Sequence, residues 1–236
     1  MRRLLIVLAV LVVLLAIADR VGVAVAERAL ANQIRTELEL DRTPDVSIRG
    51  IPFLTQALGG DYQEVRVGLP DVDSGPLQDI GVDARLYGVK APLGDVLRRQ
   101  LDEVPVDRIT GDLSVGYAEL ARASGISGLR ITRDGESLRL AGSVEVLGRQ
   151  VDASATGRVE VAGNDIVITA EQAEVNGVEV PQTALELAAR LLSFRVSPSG
   201  LPLSLRITAV TIGQESLEVA AVSDDAVLRR GQLPAN

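Results

Sequence analysis

The residues of this chain that could do chemistry are few in kind. Among its 236 residues there is no cysteine and no histidine, and Lys90 is the sole lysine, so reactive groups reduce to carboxylates, hydroxyls and arginines. Thiolate nucleophiles, disulfides and Cys/His zinc sites are therefore excluded. A Ser-His-Asp triad is excluded as well, because nothing supplies the imidazole base. Asp71-Val72-Asp73-Ser74-Gly75 starts like a calcium loop but lacks the later acidic positions and the closing Glu, and reads as a solvated turn. No G-x-G-x-x-G, G-x-S-x-G or P-loop spacing occurs. Acids are plentiful, yet no pair is singled out for the two-carboxylate chemistry of glycoside hydrolysis. Arg98-Arg99 is either ordinary surface charge on a helix or a contact for a phosphate. The net charge of −8 and the pI of about 4.7 argue against a nucleic-acid surface, which needs clustered positive charge.

With catalysis unsupported, apolar side chains carry the functional signal. They make up 47% of the chain while aromatics are only 2%, so any interior is built from Val, Leu, Ile and Ala. The conspicuous exception lies in Val46–Gly68, VSIRGIPFLTQALGGDYQEVRVG. β-type alternation at Val46 and Ile48 breaks at Gly50 and Pro52, an apolar cluster of Ile51, Phe53, Leu54, Ala57 and Leu58 follows, and alternation resumes at Val65 and Val67 after Gly59-Gly60. Phe53 is one of two phenylalanines, the other being Phe194. Placed in a Gly/Pro-punctuated connection, Phe53 is either a plug for the core or one wall of an apolar opening, with Leu54 and Leu58 beside it.

The elements that would position this cluster begin at the N-terminus. Arg2 and Arg3 precede an unbroken apolar run, Leu4 to Ala18, in the layout of a secretory signal. As a helix that run spans only about 22 Å, whereas Leu4 to Ala26, with Asp19 and Arg20 inside it, spans roughly 34 Å and would cross a membrane. Residues 1–26 are therefore either a signal peptide, cut after Ala24-Val25-Ala26 or after Ala16-Ile17-Ala18, or a retained anchor over residues 4–26 with its arginines cytoplasmic. Either outcome exports the remainder. Val23, Ala26, Leu30, Ile34 and Leu38 then recur at helical spacing over Val21–Glu39, and Asp41 to Pro44 ends that amphipathic helix.

Downstream the pattern is mostly period two. Strands are expected around Ile80–Leu86, Ile109–Val115, Leu129–Ile131, Leu138–Val146, Val151–Val161, Ile166–Ile168, Leu203–Ile207 and Leu217–Val219. Turns are expected at Asp134-Gly135, Gly148-Arg149, Gly163-Asn164-Asp165 and Asn176-Gly177. The register shift from Ile207 to Val210 and Ile212 signals a bulge. Short helical patterns follow Pro92, Gly116 and Pro181. The expected fold is α+β: one long, curved antiparallel sheet wrapped around the N-terminal amphipathic helix, with one or two further short helices. Residues 27–223 would form the working domain and 224–236 a polar C-terminal tail.

Gly50, Pro52, Phe53, Leu54 and Gln56 also carry a resemblance. G-I-P-F-L-T-Q ahead of an alternating valine strand resembles the signature block of the LmeA-like phospholipid-binding proteins of actinobacteria, with Ile51 where an aromatic is common. Leu201 to Ile207 is similar to that family's C-terminal block, with Leu203 in place of its usual small residue. The resemblance implies a tubular lipid-binding (BPI-like) fold and binding of phospholipids, phosphoinositides included, at the outer face of the cytoplasmic membrane. It also implies support for assembly of mannan-type envelope glycolipids, and it brings no cofactor and no catalytic residue. On that reading Phe53, Leu54, Leu58, Leu30, Ile34 and Phe194 are the candidate lipid contacts. Two other readings of the residues stay open: a carboxylate-based envelope hydrolase or accessory enzyme, and a membrane-anchored structural or partner-binding protein with a filled core.

Overall fold

The computed structural model describes residues 2–74, 77–98, 103–146, 149–175, 182–197 and 205–229. The N-terminal helix α1 runs without interruption from Arg2 to Glu37. The apolar run and the amphipathic stretch, expected as separate pieces, are thus one element of 36 residues. Neither Asp19 nor Arg20 breaks it, since a charge alone does not disfavour helical backbone. Next come β1 (Asp45–Arg49), α2 (Phe53–Gly59), β2 (Asp61–Ser74), β3 (Leu77–Lys90), α3 (Leu93–Arg98), β4 (Glu103–Gly116) and α4 (Tyr117–Ala123). The chain continues through β5 (Arg130–Asp134), β6 (Ser137–Val146), β7 (Arg149–Ala162), β8 (Asp165–Val175), α5 (Gln182–Leu192), β9 (Phe194–Val196), β10 (Arg206–Ile212) and β11 (Ser216–Arg229).

The fold is α+β with long antiparallel strands, but the strands form two sheets where one was expected. One has the order β1-β2-β3-β4-β11-β10 and the other β5-β6-β7-β8-β9. Hydrophobic alternation assigns a strand two faces and says nothing of its neighbours, so the division into sheets is invisible to it. Helices α3, α4 and α5 stand at the three short helical patterns, one more than the one or two counted for the fold, and α2 forms where the Gly/Pro-punctuated stretch was expected as a connection. The presumed turn at Asp71–Gly75 is strand as far as Ser74. β11 continues through 224–229 with Ala226 buried, so those residues of the expected tail are sheet. The hairpin turns at Asp134-Gly135 and Gly163-Asn164 stand where their residues point, closed by the pairs Asp134↔Ser137 and Ala162↔Asp165. The bulge on β10 falls between Ile207 and Ala209. Gly148, Asn176-Gly177, Pro181 and Leu201–Ser204 lie outside the described residues.

The chain divides into two compact units whose boundaries fall within β2, β3, β4 and β11. The first comprises residues 1–69, 83–110 and 223–236, and the second 70–82 and 111–222. The second unit owns one continuous core. Leu77, Ile80, Leu120, Leu138, Leu140, Ile166, Ile168, Leu192 and Leu217 are all fully buried in it. Helix α5 presents Ala184, Ala188 and Leu192 at four-residue spacing, a single stripe whose small residues let it pack closely on β8 and β6. Tyr117, at the start of α4, buries its ring and donates its hydroxyl to the Gly213 carbonyl at 2.8 Å, so the phenol is not left unsatisfied. Each fully buried Leu or Ile there contributes about 1.5–3 kcal/mol of transfer free energy.

The first unit is built differently. Among its described residues the buried apolar side chains are mostly small or β-branched: Ala31, Val46, Ala57, Val65, Val89, Ala91, Val106, Ile109 and Ala226, with Phe53 the one large ring. Helix α1 lies against β1 and α2, and only Asp19 and Ala31 of its length are buried.

Candidate functional site

The motif stretch forms a compact device in the first unit, and each of its special residues has a physical reason. Gly50 sits at φ +112°, which disfavours any side chain, and a Cβ there would lie 2.5 Å from Gln56 Nε2. The Ile51–Pro52 bond is cis. Pro52 then occupies the N-cap position of α2 with extended backbone, where its missing N–H costs nothing. Gln56 is buried and works twice: its Oε1 accepts a hydrogen bond from Gln63 N at 2.9 Å, and its Nε2 donates to the Pro52 carbonyl at 3.4 Å. The side-chain amide thereby ties α2 to both the preceding turn and the following strand. Gly60 ends α2 in the left-handed region at φ +68°, where a Cβ would strike Pro92 Cα at 2.6 Å, and its carbonyl accepts from Ala91 N at 2.8 Å.

Proline cannot cap a helix with its side chain, and α2 has no local side-chain cap. The substitute comes from α1. Asp19 is buried, and its Oδ1 accepts from Leu54 N at 2.8 Å while its Oδ2 accepts from Arg20 Nη2 at 2.7 Å. A carboxylate at that position satisfies an orphan N–H of the first turn and meets the positive end of the helix dipole. One turn further along α1, Gly22 leaves a seat for Phe53. A Cβ at Gly22 would be 3.4 Å from Phe53 Cε1 and 3.6 Å from Leu54 Cδ2. Another turn on, Glu27 Oε1 accepts from Ile48 N at 2.9 Å and ties α1 to β1. Asp19, Gly22 and Glu27 thus fasten α1 to the motif at three levels. In sequence they read only as an interruption, a glycine and a cleavage flank.

The candidate lipid contacts fall into distinct positions. Phe53 is 6% exposed, packed on α1 with its ring centroid 6.3 Å from that of Tyr62, whose phenol burial pushes up in pKa. Leu54 is half-buried on the same helix, and Leu30 and Ile34 are half-buried on α1. Leu58 is 79% exposed and Ile51 77%, although neither side chain has any polar atom. These residues share the first unit. Phe194 belongs to the second, on β9, where it is partly buried against that unit's core and pairs with Ile168. Of the family-like C-terminal block, Leu201–Ser204 lie outside the described residues, and Ile207 is a core residue of the second unit.

Half-burial extends across the aliphatic side chains of the first unit. Leu38 and Leu40 near the end of α1, Val67 and Leu69 of β2 and Leu86 of β3 are neither exposed nor sealed. A void in the second unit, by contrast, is lined only by Leu77, Ile80, Leu113, Val115, Ile166, Ile207 and Val219 and has room for about one water molecule. It cannot take an acyl chain, and it brings no acids together.

Fold and site together define an α+β protein whose second unit gathers one continuous aliphatic core and whose first unit buries mostly small side chains and leaves Ile51 and Leu58 exposed. A family model described as LmeA-like phospholipid-binding matches residues 17–222, and the chain belongs to that family. No curated protein and no solved structure matches it.

Proposed function

We propose that this protein is a non-catalytic phospholipid-binding protein of the cell envelope, exported by its N-terminal segment, with residues 27–223 doing the binding. The acyl chains lie against the half-buried aliphatic face of the first unit: Leu30 and Ile34 of α1, Leu54 of α2 and the neighbouring strand residues. Phe53 holds α2 in place behind them, and Leu58 marks the entrance. Phe194 is the candidate contact on the second unit. The single observation that carries this reading is membership of a phospholipid-binding family, and the exposed Leu58 on the same helix as the half-buried Leu54 supports the choice of entrance. Each CH₂ of an acyl chain withdrawn from water contributes about 0.8 kcal/mol, so a modest stretch of contact suffices for binding. Headgroups in this proposal include phosphoinositides, the setting is the outer face of the cytoplasmic membrane, and the physiological role is support of mannan-type glycolipid assembly.

Native mass spectrometry of the purified full chain should show co-purified phospholipid, and Ile34→Asp together with Leu30→Asp should remove it while the second unit stays folded. A lipid-free spectrum with no extraction of phospholipid from liposomes would end the proposal. The role in glycolipid assembly is tested separately: a host lacking the protein should accumulate shortened mannan-type glycolipids, and an unchanged profile removes that part alone.

A further inference from the structure

Helix α1 is apolar and exposed from Leu4 to Ile17, and the exposed apolar residues continue past Asp19 at Val21 and Val25. From Leu4 to Val23 the helix is about 30 Å long, the thickness of a hydrocarbon core. An acid near the outer end of such a span is costly unless its charge is answered. Asp19 is answered twice, by the Leu54 N–H and by the Arg20 guanidinium. The Asp19–Leu54 hydrogen bond fastens α2 to α1 near the outer end of the apolar run.

What α2 presents at that height is the second observation. Its sequence from Phe53 to Gly59 carries no charge. Thr55 and Leu58, three apart on the helix, are exposed, as is Ile51 in the turn just before it, and the Thr55 hydroxyl donates to the Pro52 carbonyl at 2.9 Å. The outward side of this segment is therefore uncharged and dominated by Ile51 and Leu58. Exposed arginines flank it, Arg20 on α1 and Arg49 at the end of β1, suited to phosphates at the level of the headgroups.

We infer that α1 remains on the chain as a membrane anchor, uncut, and that Ile51 and Leu58 form a foot seated in the outer leaflet of the bilayer that α1 itself crosses. The occupant of the apolar face is thus lipid at the membrane surface, because α2 is fastened to a helix already long enough to span it. Cutting after Ala26 would remove both Asp19, which caps α2, and Gly22, on which Phe53 is seated. Cutting after Ala18 would spare the cap but leave the foot with no bilayer held beside it. The inference goes beyond lipid binding, since it concerns how the chain docks and not what it carries.

The absence of cysteine makes the test direct, because single-cysteine variants of the full chain label at one site only. Ile51→Cys, Leu58→Cys and, as control, Thr36→Cys would carry an environment-sensitive fluorophore, reconstituted into nanodiscs of phosphatidylcholine and phosphatidylglycerol. Thr36 is exposed on the same helix, roughly 26 Å beyond Asp19. Probes at 51 and 58 should be quenched several-fold more by lipid-borne nitroxide than the probe at 36, and several-fold less by aqueous iodide. Equal access of iodide to all three positions overturns the foot. Intact mass of the membrane-extracted protein should correspond to the uncut chain, and a mature form beginning at Glu27 or Asp19 overturns the anchor. Lipid co-purifying with the same samples is read independently. Its presence with iodide-accessible probes rejects the foot and spares the proposed function, and its absence with membrane-buried probes does the reverse.

Discussion

The two units of this molecule spend the same aliphatic alphabet in opposite ways. Among the described residues, ten of the eleven largest fully buried side chains belong to the second unit and only Val106 to the first. In the second unit Leu, Ile and Val meet from two sheets and two helices and leave room for about one water molecule. In the first, several of the same residue types on α1, β2 and β3 stop half-way, and Leu58 on α2 and Ile51 in the turn before it are exposed. Soluble monomers rarely leave contiguous apolar surface uncovered without a use for it. The difference teaches where to look: the second unit gathers most of the fully buried side chains around one core, with Leu187 and Leu191 of α5 left at its surface, and the first unit exposes Ile51 and Leu58 most strongly outside α1.

Mutations can sharpen or break this contrast, beginning with the largest expected effect. Leu140→Ala, in the sealed core, should cost about 2–5 kcal/mol by lost burial and the cavity left behind. Thermal melts of the detergent-solubilised full chain would show it, with lipid carried per folded molecule unchanged. A much smaller cost would mean that the second unit is not the packed scaffold described. Asp19→Ala comes next, at about 1 kcal/mol for a lost helix cap. It should loosen α2 selectively, visible as faster amide exchange at Leu54 and its neighbours. If exchange there is unchanged, the Asp19–Leu54 hydrogen bond contributes nothing.

Ile34→Ala, at a half-buried position, should cost roughly 1 kcal/mol, about half the value of a fully buried aliphatic. Its effect on bound phospholipid should exceed its effect on the melting temperature, which reverses the Leu140→Ala result. Equal and large effects on stability would mean that Ile34 is core, and the contrast between units would fail there. Leu58→Asp should leave stability within about 0.5 kcal/mol, as expected for an exposed side chain. It should nonetheless lower the rate at which lipid is taken from liposomes, measured by transfer of a fluorescent phospholipid. An unaltered transfer rate would remove Leu58 from the route.

Much of the architecture was legible before any coordinates. Antiparallel strands, the Asp134-Gly135 and Gly163-Asn164 turns, the β10 bulge and the helical pattern of α5 all follow from local periodicity and turn chemistry, which neighbouring residues alone determine. The motif residues were visible as a block, yet their separate duties were not. Gly50 and Gln56 face each other, Gly60 meets Pro92 and Asp19 caps a helix 35 residues further on, and each of those facts is a contact between segments. An acid interrupting an apolar run, with a proline-capped helix elsewhere, was the one clue to the last of these.

By itself, then, the sequence determined the absence of imidazole and thiol chemistry, the aliphatic character of every apolar surface and the spanning length of α1. Composition and period are properties of the chain, so no folding was needed to read them. Only the tertiary structure decided that the strands divide into two sheets, that Phe53 is buried against Gly22 while Leu58 faces out, and that the fully buried side chains gather mostly in one unit. Those outcomes depend on which apolar faces find partners, and a face has no partner until the chain has folded. GIPFLTQ therefore stood out as a block, and packing assigned its residues to holding the helix or to facing outward.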